Sequence, residues 1–216
     1  MLLVAHRTPR SRAACETFIA AGANMFECDV QFRGRTVVVS HFLPFLGRRG
    51  WLEHDNAQFR WRKGMLRRDP VLLDALDMIP SSCGILLDPK ETEPNRRARL
   101  VHELARLLPE RDRFRVSTDR GDDLTGFRAA GFQTWRTIKN TDQLADAIGS
   151  GPLPDLGVSV RHHLVDAAAV AGLRKVTETI TTWTVNSAER AVGLRVLDVD
   201  GMTTDSLDVM RAVSGS

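Results

Sequence analysis

Glu27 and Asp29 stand two residues apart in the run Met25-Phe26-Glu27-Cys28-Asp29-Val30. On a strand this spacing puts both carboxylates on one face with Met25, and Phe26, Cys28 and Val30 on the other. The Phe-Cys-Val face suits contact with covering helices, which turns the carboxylates inward. Two unpaired carboxylates there would carry a large desolvation penalty or be forced to protonate. A divalent cation removes that penalty. Asp88, in Asp88-Pro89-Lys90 at the end of a later apolar segment, supplies a third oxygen ligand. An all-oxygen set without cysteine points to Mg²⁺, Ca²⁺ or Mn²⁺ rather than structural zinc. The plain alternative pairs Glu27 and Asp29 with Arg7, Lys90 or Arg35. Asp88 at the matching strand end makes the metal reading the stronger one.

His6 and His41 are the candidates for acid–base work, because histidine titrates near neutrality without large perturbation. Each stands at an expected strand end beside the carboxylates, His6 after the first apolar segment and His41 after a hairpin return. Arg7 and Lys90 have the chemistry to hold phosphate oxygens and offset charge in a transition state; their plain alternative is neutralisation of the acidic cluster. His54, His102, His162 and His163 read as structural or surface residues.

These groups meet only if the elements carrying them share one end of a sheet. Eight strand candidates alternate with helical patterns: Leu2–Ala5, Met25–Val30, Gly84–Asp88, Phe114–Thr118, Phe132–Ile138, Leu156–Val160, Thr179–Val185 and Val196–Met202. Spread over 216 residues, each unit is about 27 residues long, a βα repeat in size. Thr36–Ser40, following Arg33-Gly34-Arg35, reads as a hairpin return beside the second strand. Leu100, Val101, Leu104, Leu107 and Leu108 share a helix face that starts near Pro94. Asn140 with Gln143 and Asn186 with Glu189 resemble capped helix starts, and Gly22, Gly131 and Gly172 sit where helices should end. Strict alternation argues for a parallel sheet covered by helices, and eight units favour closure into a barrel. In such a barrel the C-terminal strand ends build the active site. No Gly-rich phosphate loop follows the first strand, which weakens a nucleotide-binding alternative. The chain reads as one domain over 1–216, with 42–69 a rim or lid segment.

A net charge of +3 suits attraction of a small anionic substrate better than a nucleic-acid footprint. One basic cluster, Arg60, Arg62, Lys63, Arg67 and Arg68 around Trp61, reads as a solvated loop, with a phosphate-gathering rim as the sharper alternative. Cys15, Cys28 and Cys83 are odd in number and widely spaced, which favours a reducing compartment. No apolar run approaches the roughly 20 residues needed to span a bilayer, and no signal segment precedes His6. The expectation is a cytoplasmic protein without a transmembrane segment or nucleic-acid partner. The sequence leaves its oligomeric state open.

Several motifs, in order, resemble the glycerophosphodiester phosphodiesterase family. That family opens with a strand and His-Arg-Gly, matched here by Val4-Ala5-His6-Arg7-Thr8. Its Gly-Ala-Asp and Glu-x-Asp-Val motifs correspond to Gly22-Ala23-Asn24 and Glu27-Cys28-Asp29-Val30. Val37-Val38-Val39-Ser40-His41-Phe42 and Asp88-Pro89-Lys90 follow its second-histidine and Glu-x-Lys motifs. Trp183-Thr184-Val185-Asn186 and Val199-Asp200-Gly201-Met202-Thr203-Thr204-Asp205 are similar to its two closing segments. The resemblance spans essentially the whole chain. It implies a TIM (β/α)₈ barrel, one divalent metal on Glu27, Asp29 and Asp88, and His6 and His41 as the acid–base pair. It further implies Arg7 and Lys90 on the phosphate, Trp183 lining the pocket, and a small-molecule phosphodiester as substrate. Thr8 replaces the family's Gly, Phe42 its Asp, and Asp88 its Glu; Phe42 makes the pocket rim more apolar. A second expectation is lysophospholipase D or sphingomyelinase-D-like activity, with Phe42, Phe45, Leu46 and Trp51 accepting an acyl chain in transient contact with a membrane surface. A third is a non-catalytic phosphodiester-binding barrel.

Overall fold

In the computed structural model, residues 1–7, 11–40, 51–55, 58–62 and 69–215 are described. The strands are β1 (Leu2–Ala5), β2 (Met25–Arg33), β3 (Thr36–Val39), β4 (Trp51–Asp55), β5 (Gln58–Arg62) and β6 (Gly84–Pro89). They continue as β7 (Phe114–Thr118), β8 (Gln133–Ile138), β9 (Gly157–Arg161), β10 (Thr179–Trp183) and β11 (Gly201–Thr204). Helices α1 (Arg12–Ala20), α2 (Leu72–Leu76), α3 (Pro94–Leu107) and α4 (Gly121–Ala129) come first. Then follow α5 (Thr141–Gly149), α6 (Ala167–Leu173), α7 (Ala188–Val196) and α8 (Leu207–Ser214).

Eight parallel strands run in the order β1-β11-β10-β9-β8-β7-β6-β2, and β2 pairs back to β1 through Val4–Met25 and Ala5–Phe26. The sheet therefore closes on itself, the TIM (β/α)₈ architecture expected from the eight repeats. β3 lies antiparallel on β2, the hairpin return, with Gly34 at φ 61° in the turn. Within 42–69, β4 and β5 form a separate two-stranded antiparallel ribbon. His41, Phe42, Phe45, Leu46, Thr8 and the basic cluster between Arg60 and Arg68 carry expectations that lie outside the described side chains. Among the described residues, no helix is long and apolar enough to cross a membrane.

Period-two alternation divides the core into two layers. Phe26, Cys28, Val30, Ile85, Leu87, Phe114 and Val116 pack outward under one group of helices; Ile138, Val158, Val160, Ile180 and Met202 do so under the other. The opposite faces enter the barrel. Val4, Met25, Leu86 and Trp135 fill its lower part. Further along the same faces come Glu27 and Asp29, then Asp88, and around the wall Ser117, Thr137, Ser159, Thr181 and Thr203. The barrel is thus apolar below and polar toward its C-terminal mouth.

Helix starts explain the spacing of the units. Ser11, Asn140, Asp166, Ser187 and Ser206 each accept a hydrogen bond from a first-turn backbone N–H of α1, α5, α6, α7 and α8, worth about 1 kcal/mol apiece. Pro94 opens α3 as expected. Asn186 does not cap α7; Ser187 does, because its hydroxyl reaches Arg190 N and leaves Asn186 free for another task. Gly172 does not end a helix either. It lies inside α6, where a Cβ would come 2.7 Å from Ile148 Cδ1, so its smallness allows α5 and α6 to approach. The expected strand over Val196–Met202 is shifted: Val196 is the last residue of α7 and 81% exposed, and the strand begins at Gly201.

Gly201 itself is fixed by closure. A Cβ there would meet Leu2 Cβ at 2.7 Å and the Leu2 carbonyl oxygen at 2.9 Å across the β1–β11 seam. Gly201→Ala should therefore destabilise the barrel by about 1–3 kcal/mol, as overpacking does. A thermal unfolding curve superimposing on that of the wild type would show that the seam is looser than these distances imply.

Candidate active site

The polar mouth is assembled from the ends of five elements. Glu27 and Asp29 face into the barrel from β2, both buried, and Asp88 joins them in register from β6, Asp29 opposite Asp88. One carboxylate oxygen from each of the three lies within 4.8 Å of the others. Burial, then the charges of Asp29 and Asp88, push the Glu27 carboxyl well above its ordinary range. Asp88 is raised as well, by burial first, with Lys90 pulling against it. Glu27 and Asp88, both raised beside Asp29, mark a cluster short of positive charge.

Lys90 supplies part of that charge. Its Nζ is 2.8 Å from Asp29 Oδ1 and 2.6 Å from Asp88 Oδ2. Burial works to lower its pKa, but Asp88, Asp29 and Glu27 more than offset this and hold the ammonium above its usual value. Of the two sequence readings of Lys90, its contacts here are those of the acid-neutralising one. The donor set suits a hard divalent cation: three oxygens at mutual coordinating distance, no thiolate, and repulsion that such an ion would relieve.

Arg7 adopts φ 53°, a left-handed backbone that a non-glycine residue rarely takes. This turn at the end of β1 lets its N–H donate to Glu27 Oε2 at 2.8 Å. The strained residue thus ties the first strand to the carboxylate cluster. Its guanidinium charge also contributes to lowering the pKa of Asp205.

His6, one residue earlier, places Nδ1 2.8 Å from Asp205 Oδ1. Asp205 is in turn held by Asn186, whose Nδ2 donates to Oδ2 at 3.1 Å. Asn186 Oδ1 accepts from Asp205 N and Thr204 Oγ1, both at 3.0 Å. Burial pushes the Asp205 carboxyl upward, but the His6 hydrogen bond and charge, then the Asn186 donor, hold it below the ordinary carboxylate range. An ionised Asp205 favours the His6 tautomer that carries its proton on Nδ1.

Asp205 and Asn186 were not singled out as site residues by the sequence reading. The signal was present: both follow the C-terminal ends of barrel strands, β11 and β10, the rule that found His6 and Asp88. Asp205→Asn should lower kcat by about 10–100-fold with little change in KM, the range seen when outer partners of a functional histidine are removed. Equal pH–rate profiles for the two proteins would show that Asp205 does not orient His6.

Trp183 ends β10 and donates from Nε1 to the Ser159 carbonyl at 3.0 Å. His162 and His163 occupy a 3₁₀ turn just after β9, rings 3.8 Å apart. Burial, followed by the charges of His163, Arg190 and Arg161, pushes His162 down to about 4, so it is neutral at physiological pH. His102 is exposed on α3, away from the strand ends.

The fold of this chain is that of solved phosphodiesterases. A phosphodiesterase from Oleispira antarctica, solved with the product sn-glycerol-3-phosphate, superposes with a TM-score of 0.70 at 16% identity, covering 99% of this chain and 96% of that one. A glycerophosphodiester phosphodiesterase from Thermotoga maritima gives 0.69 at 19% identity over 97% and 96%. One from Agrobacterium tumefaciens gives 0.68 at 16% identity over 99% and 100%. No protein-family model and no curated protein matches the chain.

Proposed function

We propose that this chain is a metal-dependent phosphodiester hydrolase that cleaves glycerophosphodiesters to an alcohol and glycerol phosphate. The observation that carries this reading is the convergence of the Glu27–Asp29–Asp88 cluster and the Asp205-braced His6 on one barrel mouth. The fold likeness to phosphodiesterases, one holding sn-glycerol-3-phosphate, supports the substrate class. The buried free cysteines support a reducing, cytoplasmic setting.

Glu27, Asp29 and Asp88 would hold one divalent ion, Mg²⁺, Ca²⁺ or Mn²⁺. Bound there, it supplies Lewis-acid charge neutralisation on a non-bridging phosphate oxygen. Arg7 binds a second phosphate oxygen, and Lys90 lies close enough to the carboxylates to join it. His6 and His41 divide the proton transfers: one takes the proton from the attacking hydroxyl, the other gives a proton to the leaving alkoxide. Each such transfer is typically worth ~10²–10⁴-fold. Trp183, at the end of β10, borders the space for the leaving group.

The test is a panel of phosphodiesters, including glycerophosphocholine, a lysophospholipid and a bis-nitrophenyl ester, run against Mg²⁺, Mn²⁺ and Ca²⁺. Glycerol phosphate release from the first is expected. Turnover confined to the lysophospholipid would select the lysophospholipase-D-like alternative, and binding without turnover would select a non-catalytic role.

A further inference from the structure

The wall of the barrel opposite the carboxylate cluster carries a cation that the phosphodiesterase reading does not use. Arg161 is the last residue of β9, on the lumen-facing register of Ser159, and pairs in register with Trp183 at the end of β10. Its guanidinium carbon lies 5.6 Å from the Trp183 ring centroid. Among the described residues it has no carboxylate partner. The neighbouring rim lysine, Lys139 after β8, is already neutralised by Asp119 at 2.8 Å. The side chain of Arg161 is exposed at the mouth rather than packed.

A bare indole face at a pocket rim is a receptor for cations, quaternary ammonium groups above all. Here the protein's own guanidinium occupies that role. A choline-type leaving group would have to displace Arg161 from Trp183 and then sit beside its charge. An anionic leaving group would instead find a guanidinium with no carboxylate partner among the described residues, held near the Trp183 ring, with donors suited to a carboxylate or phosphate.

We propose that Arg161, seated on Trp183, forms the leaving-group subsite and selects phosphodiesters whose alcohol carries a negative charge over those whose alcohol carries a quaternary ammonium. This rests on the phosphodiesterase reading of the same mouth. The test compares kcat/KM for three glycerol-phosphate diesters of similar size, whose second alcohol is glycolate, glycerol or choline. In the wild type the glycolate ester should exceed the choline ester by about tenfold, the size expected of one charge-assisted contact. Arg161→Gln should bring that ratio close to one, and Arg161→Glu should invert it. A ratio in Arg161→Glu equal to that of the wild type, or a wild type that prefers the choline ester, overturns the proposal alone. Turnover of none of the three diesters overturns the underlying reading and the subsite with it.

Discussion

His6→Ala should lower kcat by roughly 10²-fold or more, with the barrel still folded. The side chain sits at the mouth and touches Asp205 rather than the packed layers, so its loss removes a proton carrier and not a core contact. His41→Ala should fall by a similar factor, and the double variant by much less than the product of the two, because residues acting as one unit are non-additive. A nitrophenyl diester has a leaving group that needs little protonation. It should rescue whichever variant lacks the acid and leave the other impaired, which assigns the two roles. Unimpaired hydrolysis in both single variants would rule out the two-histidine mechanism while leaving the barrel and the metal site intact.

Glu27→Gln should abolish divalent-ion stabilisation while leaving the metal-free protein at least as stable as the wild type. The sign follows from the direction of the Glu27 shift. Its folded pKa is raised well above 4.5, by burial first and then by Asp29 and Asp88. The folded state therefore holds a proton that the unfolded chain has released. That contribution favours folding below the unfolded pKa and is lost as pH rises from there through the folded value. Above the unfolded pKa, Glu27 therefore weighs increasingly against the metal-free fold. Glutamine keeps an oxygen to accept from Arg7 N but cannot titrate, so its advantage over the wild type should grow as pH rises. With a divalent ion at 100 times its Kd, the wild type should gain about 2.7 kcal/mol, a rise in Tm of roughly 5–10 °C for a chain of this size. Equal metal-induced shifts in the two proteins would place the ion elsewhere.

The fold was legible because its repeats are short and strictly alternating. Met25 through Val30 reads as a strand with a wet and a dry face, and the wet face is where Glu27 and Asp29 lie. Asp88 was legible for the same reason, since the strand that carries it pairs residue for residue with β2. What the sequence hid was which of two adjacent polar residues does which task. Asn186 and Ser187 both have helix-capping chemistry; only tertiary structure shows that Ser187 caps α7 while Asn186 braces Asp205. Val196, Leu197 and Val199 form an apolar run that a strand or a helix end could use. Closure at the Gly201–Leu2 seam decides for the later start of β11. Lys90 carries two readings in the sequence, phosphate contact and neutralisation of the acidic cluster, because charge type says nothing about direction; in the fold it contacts Asp29 and Asp88.

The central claim, that these three carboxylates hold a catalytic ion, is tested most directly by one rate. Glycerophosphodiester hydrolysis by the purified chain is measured in excess chelator, then again after a divalent ion is added back beyond the chelator. Turnover should fall to background in chelator and return on adding Mg²⁺, Mn²⁺ or Ca²⁺. Hydrolysis that continues at its full rate in excess chelator would contradict it.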